Sequence, residues 1–135
     1  MKMALGTDNQ KTIRKGRFGD SRRYLVMEVL NAEVVAKEWR ESVHVGLENG
    51  RERHGQPQRI IELLQDCSIF MGRSFDKRSL QIIRSRGIDC IITSIEDIDR
   101  AVSSYLNGQD EGFHYYDKKS KNFTPCAART FEKQT

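Results

Sequence analysis

Two short apolar runs constrain the fold more than any other feature of the sequence. They are CSIFMG at residues 67–72 and IDCIIT at residues 88–93, and polar residues bound both of them. A continuous apolar run of this length is typical of a strand that is buried on both faces of a parallel sheet. Helical patterns alternate with the runs, and this order predicts parallel strands joined by right-handed crossovers.

Capping signals place three helices around these strands. Pro57 suits the first turn of a helix, where its missing N–H costs nothing. Ser74 is the predicted N-cap of a second helix over residues 75–86, and Gly87 is its predicted stop. Residues 94–97 resemble a capping box, with Asp in place of the usual Glu or Gln, and predict the start of a third helix.

The amino-terminal half predicts strands. A short alternation over residues 1–6 indicates a first strand, and residues 23–30 and 33–41 predict an antiparallel hairpin with its turn at residues 31–32. The whole chain therefore predicts a mixed sheet covered by helices. Residues 109–135 lose periodicity, and they predict a tail that docks onto the domain or is partly disordered.

A basic loop lies between the first two predicted strands. Residues 1–23 carry seven lysines and arginines against Asp8 and Asp20, so this stretch has a net charge of +5 and the rest of the chain is near neutral. Gly16 and Gly19 flank Arg17 and Phe18, which allows the backbone to turn or to approach a ligand closely. Such a loop suits phosphate, nucleic acid or an anionic metal cluster, although a solvated loop explains the charge equally well.

Composition and motifs narrow the class of protein. The chain has 135 residues, of which 37% are apolar, and this suits one domain with a real core. No apolar run approaches the ~20 residues of a membrane span, and the amino terminus is too short in its apolar part for a signal peptide. We therefore expect a cytoplasmic protein. The sequence contains no G-x-S-x-G, H-E-x-x-H or Walker A motif, and we predict no enzymatic activity.

The three cysteines predict neither a disulfide framework nor a zinc knuckle, because their number is odd and their spacing is long. Cys67 and Cys90 lie in or beside apolar runs and are interpreted as small buried hydrophobic residues. Cys126 lies in a polar context and is predicted to be exposed.

The predicted topology indicates where an anion would bind. Ligands of such sheets gather beyond the carboxyl ends of the parallel strands. If the three loops at that end meet, Arg17, His54 and Arg73 surround one site. Guanidinium groups stay protonated, so the site would hold an anion without titrating.

The chain resembles the dinitrogenase iron–molybdenum cofactor biosynthesis family, the nitrogenase accessory factors. Three segments over roughly residues 2–108 carry the resemblance: MALGTDN with RFGDSRRYLVMEV, then RES with HGQPQRIIELLQDCSIFMGRSF, and finally RSLQIIRSRGIDCIITSIEDIDRAVSSYL. It implies a ribonuclease-H-like three-layer α/β/α domain over residues 1–108, with a five-stranded mixed sheet, followed by the tail. It also implies a non-catalytic accessory protein that binds or carries an anionic iron–sulfur or molybdenum-containing cluster.

On this resemblance the cofactor-binding residues are Arg17, Phe18, Gly19, His54 and Arg73, and the partners are the cluster and a cofactor-assembly or target apo-protein. The family usually has His-Phe-Gly where this chain has Arg17-Phe18-Gly19, and it often has Gly where Asp76 stands. Arginine does not ligate metals, so Arg17 would hold a cluster only by charge and hydrogen bonds. These two differences favour a second hypothesis, an interaction or regulatory domain that has lost the cluster site. Weak nucleic-acid binding through residues 11–23 is the third.

Overall fold

A seven-stranded mixed sheet forms the centre of the protein, in a computed structural model that describes residues 1–42, 57–109 and 111–126. The strand order is β3-β2-β1-β4-β5-β6-β7. Strand β1 runs parallel to β4, and β4 runs parallel to β5, whereas the other neighbours are antiparallel. The strands are β1 (Lys2–Thr7), β2 (Arg23–Leu30), β3 (Glu33–Glu41), β4 (Ile69–Gly72), β5 (Asp89–Thr93), β6 (Phe113–Asp117) and β7 (Asn122–Pro125).

The prediction of a mixed sheet covered by helices is confirmed, but the prediction of five strands is wrong. The two additional strands, β6 and β7, come from the stretch in which no periodicity was recognised. They have only five and four residues, and the alternation of β6 is interrupted because Phe113 and Tyr116 are its buried positions. Pairing with the exposed edge of β5, rather than the local sequence pattern, gives this hairpin its place in the sheet.

Three helices cover the two faces of the sheet: α1 (Pro57–Leu63), α2 (Lys77–Ser85) and α3 (Ile98–Leu106). Helices α1 and α2 pack on one face, here called the two-helix face, against residues that include Ala4 and Phe70. Helix α3 packs on the opposite, one-helix face, where Met3, Leu5 and Met71 are buried. Successive strand residues thus supply two separate cores, as the period of two in a strand requires.

The helix starts differ from the predicted ones. Asp76, and not Ser74, is the N-cap of α2, and its carboxylate accepts a hydrogen bond from the Ser79 N–H at 3.3 Å. Asp97 is the N-cap of α3 and accepts from the Arg100 N–H at 2.9 Å, so the capping box that was predicted to start at Ser94 is wrong. In both cases the aspartate nearer the helix performs the capping that we predicted for a serine upstream.

The predictions of a helix stop at Gly87 and of a hairpin turn at residues 31–32 are confirmed. Gly87 has φ +79° and follows Arg86, the C-cap of α2, as expected for a helix stop. The β2–β3 turn lies at Asn31 and Ala32, whose φ angles of 53° and 63° are both positive, as in a type I′ hairpin turn.

All three cysteines are buried, and none of them is part of a disulfide. Cys67 and Cys90 belong to the core of the two-helix face, which confirms their interpretation. The prediction that Cys126 is exposed is wrong, because this residue directly follows β7 and packs into the core of the one-helix face. Among the described helices, none has the length and apolar character that crossing a membrane requires.

We predict that Ile91→Ala lowers the free energy of unfolding by roughly 2–5 kcal/mol, because it leaves a cavity at a fully buried position of β5. Ile91 is 0% exposed and lies in the core of the one-helix face. Denaturant melts measure the change. Val35→Ala is the control, because Val35 is 54% exposed and should change stability by less than about 0.5 kcal/mol. Equal midpoints for the two variants would contradict the assignment of Ile91 to the core.

Candidate anion-binding site

Residues 14–17, here called the RKGR segment, cross the carboxyl end of the sheet from one face to the other. Ile13, on one side of the segment, is buried in the core of the one-helix face. Phe18, on the other side, is buried in the core of the two-helix face. The four residues between these two anchors therefore span the edge at which β1 and β4 end.

Backbone hydrogen bonds hold the first anchor. The Arg14 N–H donates to the Gly6 carbonyl at 3.0 Å, which ties the segment to the end of β1. The Ile13 N–H donates to the Glu96 carbonyl at 2.8 Å, and the Ile98 N–H donates to the Lys11 carbonyl at 3.0 Å. The loop is thereby attached both to β1 and to the connection between β5 and α3.

Aromatic packing and hydrogen bonds hold the second anchor. The Phe18 ring is 1% exposed and lies 5.0 Å from the rings of Tyr24 and Phe70 and 5.1 Å from that of Phe75, measured between centroids. The Phe18 carbonyl accepts hydrogen bonds from the Tyr24 hydroxyl at 2.9 Å and from the Ser21 hydroxyl at 2.8 Å. Burial raises the pKa of Tyr24, so its hydroxyl stays protonated and remains a donor.

Two glycines allow the chain to approach the sheet at this anchor. A Cβ atom at Gly6 would lie 2.1 Å from the Ser21 Oγ, and one at Gly72 would lie 3.3 Å from the Phe18 Cβ. We did not recognise either glycine as important from the sequence. The only local signal was a glycine at the end of each of two adjacent parallel strands.

The structure brings Arg17 beside the residue that follows Arg73. The Phe18 N–H donates to the Ser74 carbonyl at 2.8 Å, and Arg17 forms an isolated parallel bridge with Ser74. The loops after β1 and β4 therefore meet. Gly19 lies in a short 3₁₀ turn (Phe18–Asp20), and a Cβ atom there would meet nothing within 4 Å.

His54 and Phe18 are the two remaining predicted site residues. His54 lies outside the described residues. Phe18 lies within the core of the two-helix face, directly after Arg17 in the chain.

Carboxylates offset part of the positive charge around the segment. Arg14 forms an ion pair with Asp8, which also accepts the Arg22 N–H at 3.0 Å. Arg73 lies 3.5 Å from the exposed carboxylate of Glu96. Lys15 and Arg17 are exposed to solvent at the same end.

The described residues do not form a metal centre of their own. No group of three or more His, Cys, Asp or Glu side chains that could hold a metal ion occurs among them. Burial raises the pKa of the thiols of Cys67 and Cys90 to about 12, so neither is a thiolate near neutral pH. Among the described residues at the carboxyl end, Lys15, Arg17 and Arg73 offer positive charge and hydrogen-bond donors.

Among the described residues, a cavity lies at each end of the sheet. A cavity of about 320 Å³ lies at the carboxyl end and includes Arg73 and His114 in its lining. A larger cavity of about 460 Å³ lies near the β2–β3 turn, between β3 and α3, and so at the opposite end of the sheet. The smaller cavity adjoins Arg73, which the sequence predicts to be functional.

The protein is an α/β protein with a mixed sheet and a basic segment across the carboxyl end of that sheet. Comparison with known proteins gives its family. The model of the dinitrogenase iron-molybdenum cofactor family matches residues 1–108, and the chain belongs to this family. This confirms the resemblance seen in the sequence. The match ends before β6, so the hairpin of β6 and β7 lies outside it. No protein with a curated description matches the chain.

Solved structures share the fold. PH0822 is 20% identical with a TM-score of 0.65, and the alignment covers 80% of this chain and 90% of that one. The apo form of the orange protein from Desulfovibrio gigas is 18% identical with a TM-score of 0.61 and coverage of 80% and 88%. The mj0327 protein of Methanocaldococcus jannaschii is 16% identical with a TM-score of 0.60 and coverage of 81% and 90%.

We predict that Gly6→Ala destabilises the protein by about 1–3 kcal/mol, because the new methyl group forces Ser21 away from its hydrogen bond to Phe18. Chemical denaturation measures the loss. Gly19→Ala is the matched control, since its methyl group would enter open space, and it should change stability by less than about 0.5 kcal/mol. A Gly6→Ala variant as stable as Gly19→Ala would contradict the close approach.

We predict that the thiols of Cys67 and Cys90 resist alkylation by iodoacetamide at pH 8 in the folded protein, because burial keeps them protonated and inaccessible. Peptide mass spectrometry after a short pulse measures the modification of each thiol. The same pulse in guanidinium chloride should label both completely. Rapid labelling of either residue without denaturant would show that a thiol is available at the surface.

Proposed function

We propose that this protein is a non-catalytic accessory protein of metallocofactor assembly that holds an anionic iron–sulfur or molybdenum-containing cluster at the carboxyl end of its sheet. The cluster is cargo, received from an assembly protein and passed to a target apo-protein. The observation that carries the proposal is the RKGR segment, which is anchored on both faces of the sheet in a member of the dinitrogenase iron-molybdenum cofactor family.

The fixed backbone supports this role. An anion is bound more tightly when its donors are already in place, since less conformational freedom is lost on binding. Ile13 and Phe18 immobilise the two ends of the segment, so Lys15 and Arg17 project from a short and restrained piece of chain. Loop charges without such anchors would have to be ordered by the ligand.

The donor chemistry supports retention by charge rather than by coordination. Sulfide-bridged and oxide-bridged metal clusters carry negative charge, and guanidinium groups offer several N–H donors to them without titrating. The described residues contain no set of metal ligands, and the thiols of Cys67 and Cys90 are neutral. Cargo held in this way can leave without breaking a bond to the protein, which suits a carrier.

Two further inferences accompany this function. The order of the first five strands, β3-β2-β1-β4-β5, with helices on both faces, supports a ribonuclease-H-like core to which β6 and β7 are added. Three cysteines without a disulfide suit a reducing compartment, and we infer that the protein works in the cytoplasm.

Binding of two anionic probes tests the proposal. Anaerobically purified protein is titrated with tetrathiomolybdate and, separately, with a synthetic anionic iron–sulfur cluster, and absorbance and metal content are read after desalting. We expect uptake of at least one probe, with an affinity that falls as salt is raised. The double substitution Lys15→Gln with Arg17→Gln should weaken binding by about tenfold or more, because it removes two charges from the segment.

Arg86→Gln is the matched control. Arg86 is an exposed arginine at the end of α2, before β5 begins, and therefore at the opposite end of the sheet. Its loss should leave probe binding unchanged, whereas an equal loss in both variants would indicate diffuse attraction to a basic protein. If the wild-type protein takes up neither probe, the proposal is wrong and an interaction domain without cargo becomes the better hypothesis.

A further inference from the structure

A second group of polar side chains lies at the carboxyl end of the sheet, around the cavity of about 320 Å³. Three successive strands contribute to it. Arg73 follows β4, Thr93 and Ser94 lie at the end of β5, and His114 lies near the start of β6. The lining residues are Arg73, Ile92, Thr93, Ser94, Gly112 and His114.

The imidazole comes from outside the part of the chain that matches the family. The match ends at residue 108, and His114 lies on β6 directly opposite Ile92 of β5. The Ser94 N–H donates to the Gly112 carbonyl at 3.4 Å, which closes the junction between the two strands. The added hairpin thus completes a cavity that the matched domain alone would leave open on this side.

We propose that this cavity is a subsite for a tetrahedral oxyanion, either molybdate or phosphate, bound by the guanidinium of Arg73, the imidazole of His114 and the hydroxyl of Ser94. The inference rests on the proposed function in taking this end of the sheet as the anion-binding end. It names a smaller ligand and combines Arg73 with Ser94 and His114, which the sequence did not indicate.

The chemistry of the lining favours such an ion. A guanidinium group can donate two parallel hydrogen bonds to two oxygens of one anion, and imidazole and hydroxyl groups can each donate one more. A water molecule takes about 30 Å³, so the cavity has room for the ion and several waters. The Thr93 hydroxyl accepts the Ile95 N–H at 3.1 Å, which fixes the backbone beside the cavity.

The carboxylate of Glu96 would compete with a bound anion for the guanidinium of Arg73. The two charged groups lie 3.5 Å apart, which is longer than the ~2.8 Å of a strong charge-assisted hydrogen bond. The Glu96 side chain is 62% exposed, so water can solvate it when an anion takes its place beside Arg73. The exchange therefore costs little, and removing the carboxylate should favour the anion.

Calorimetric titration of the full chain with molybdate, and separately with phosphate, tests the subsite. We expect at least one anion to bind with a dissociation constant below about 1 mM at low salt. Arg73→Gln and His114→Ala should each weaken binding by about fivefold or more, and Glu96→Gln should tighten it by about threefold or more. Opposite effects of substitutions on the two partners of one ion pair are not expected of residues with a merely structural role.

Lys118→Gln is the control, because Lys118 is exposed in the β6–β7 turn at the opposite end of the sheet. It should bind like the wild type. Tighter binding of molybdate or of phosphate identifies which of the two anions the subsite prefers. Equal binding of both supports recognition of the tetrahedral oxyanion that they have in common. The proposal is overturned if neither anion binds, if Glu96→Gln fails to tighten binding, or if folded His114→Ala binds like the wild type. Arg73→Gln and Glu96→Gln change only partly or fully exposed side chains, so they remain informative if His114→Ala does not fold.

The outcome also separates this subsite from the cargo role. Oxyanion binding by a protein that takes up neither tetrathiomolybdate nor an iron–sulfur cluster would support the subsite and contradict the carrier. Cluster uptake without oxyanion binding would support the carrier and contradict the subsite.

Discussion

The burial of Phe18 is the interaction on which the rest of the carboxyl end depends. Its ring stacks on Phe70 of β4 and packs against Tyr24 of β2, so it joins strands that lie on both sides of β1. Its carbonyl accepts a hydrogen bond from the buried hydroxyl of Tyr24. One residue therefore closes the core and determines where Arg17 emerges from it.

Ile13 gives the same loop a second fixed point on the other face. With one apolar side chain in each core, residues 14–17 cannot slide along the sheet end without exposing one of the two. The glycines at positions 6 and 72 make this possible, because they let the backbone lie close to the strand ends. The charge at the site is thus positioned by apolar packing.

The β6–β7 hairpin changes what the carboxyl end can do. It extends the sheet by two strands beyond β5 and brings His114 to the cavity beside Arg73. It also contributes Phe113 and Tyr116 to the cores of opposite faces, so it is part of the folded sheet. A chain that ended at residue 108 would lack both the imidazole and this packing.

Elements whose signals are local could be predicted from the sequence alone. The apolar runs that became β4 and β5, the β2–β3 hairpin, the stop at Gly87 and the concentration of charge in the basic loop all follow from neighbouring residues, and each was predicted. The same signals gave Arg17 and Arg73 as candidate site residues. The tertiary structure was needed to show that Phe18 points into the core, that β6 and β7 join the sheet, and that His114 lies beside Arg73. Each of these depends on residues distant in the chain, because a strand edge, a core or a cavity exists only after the sheet has formed.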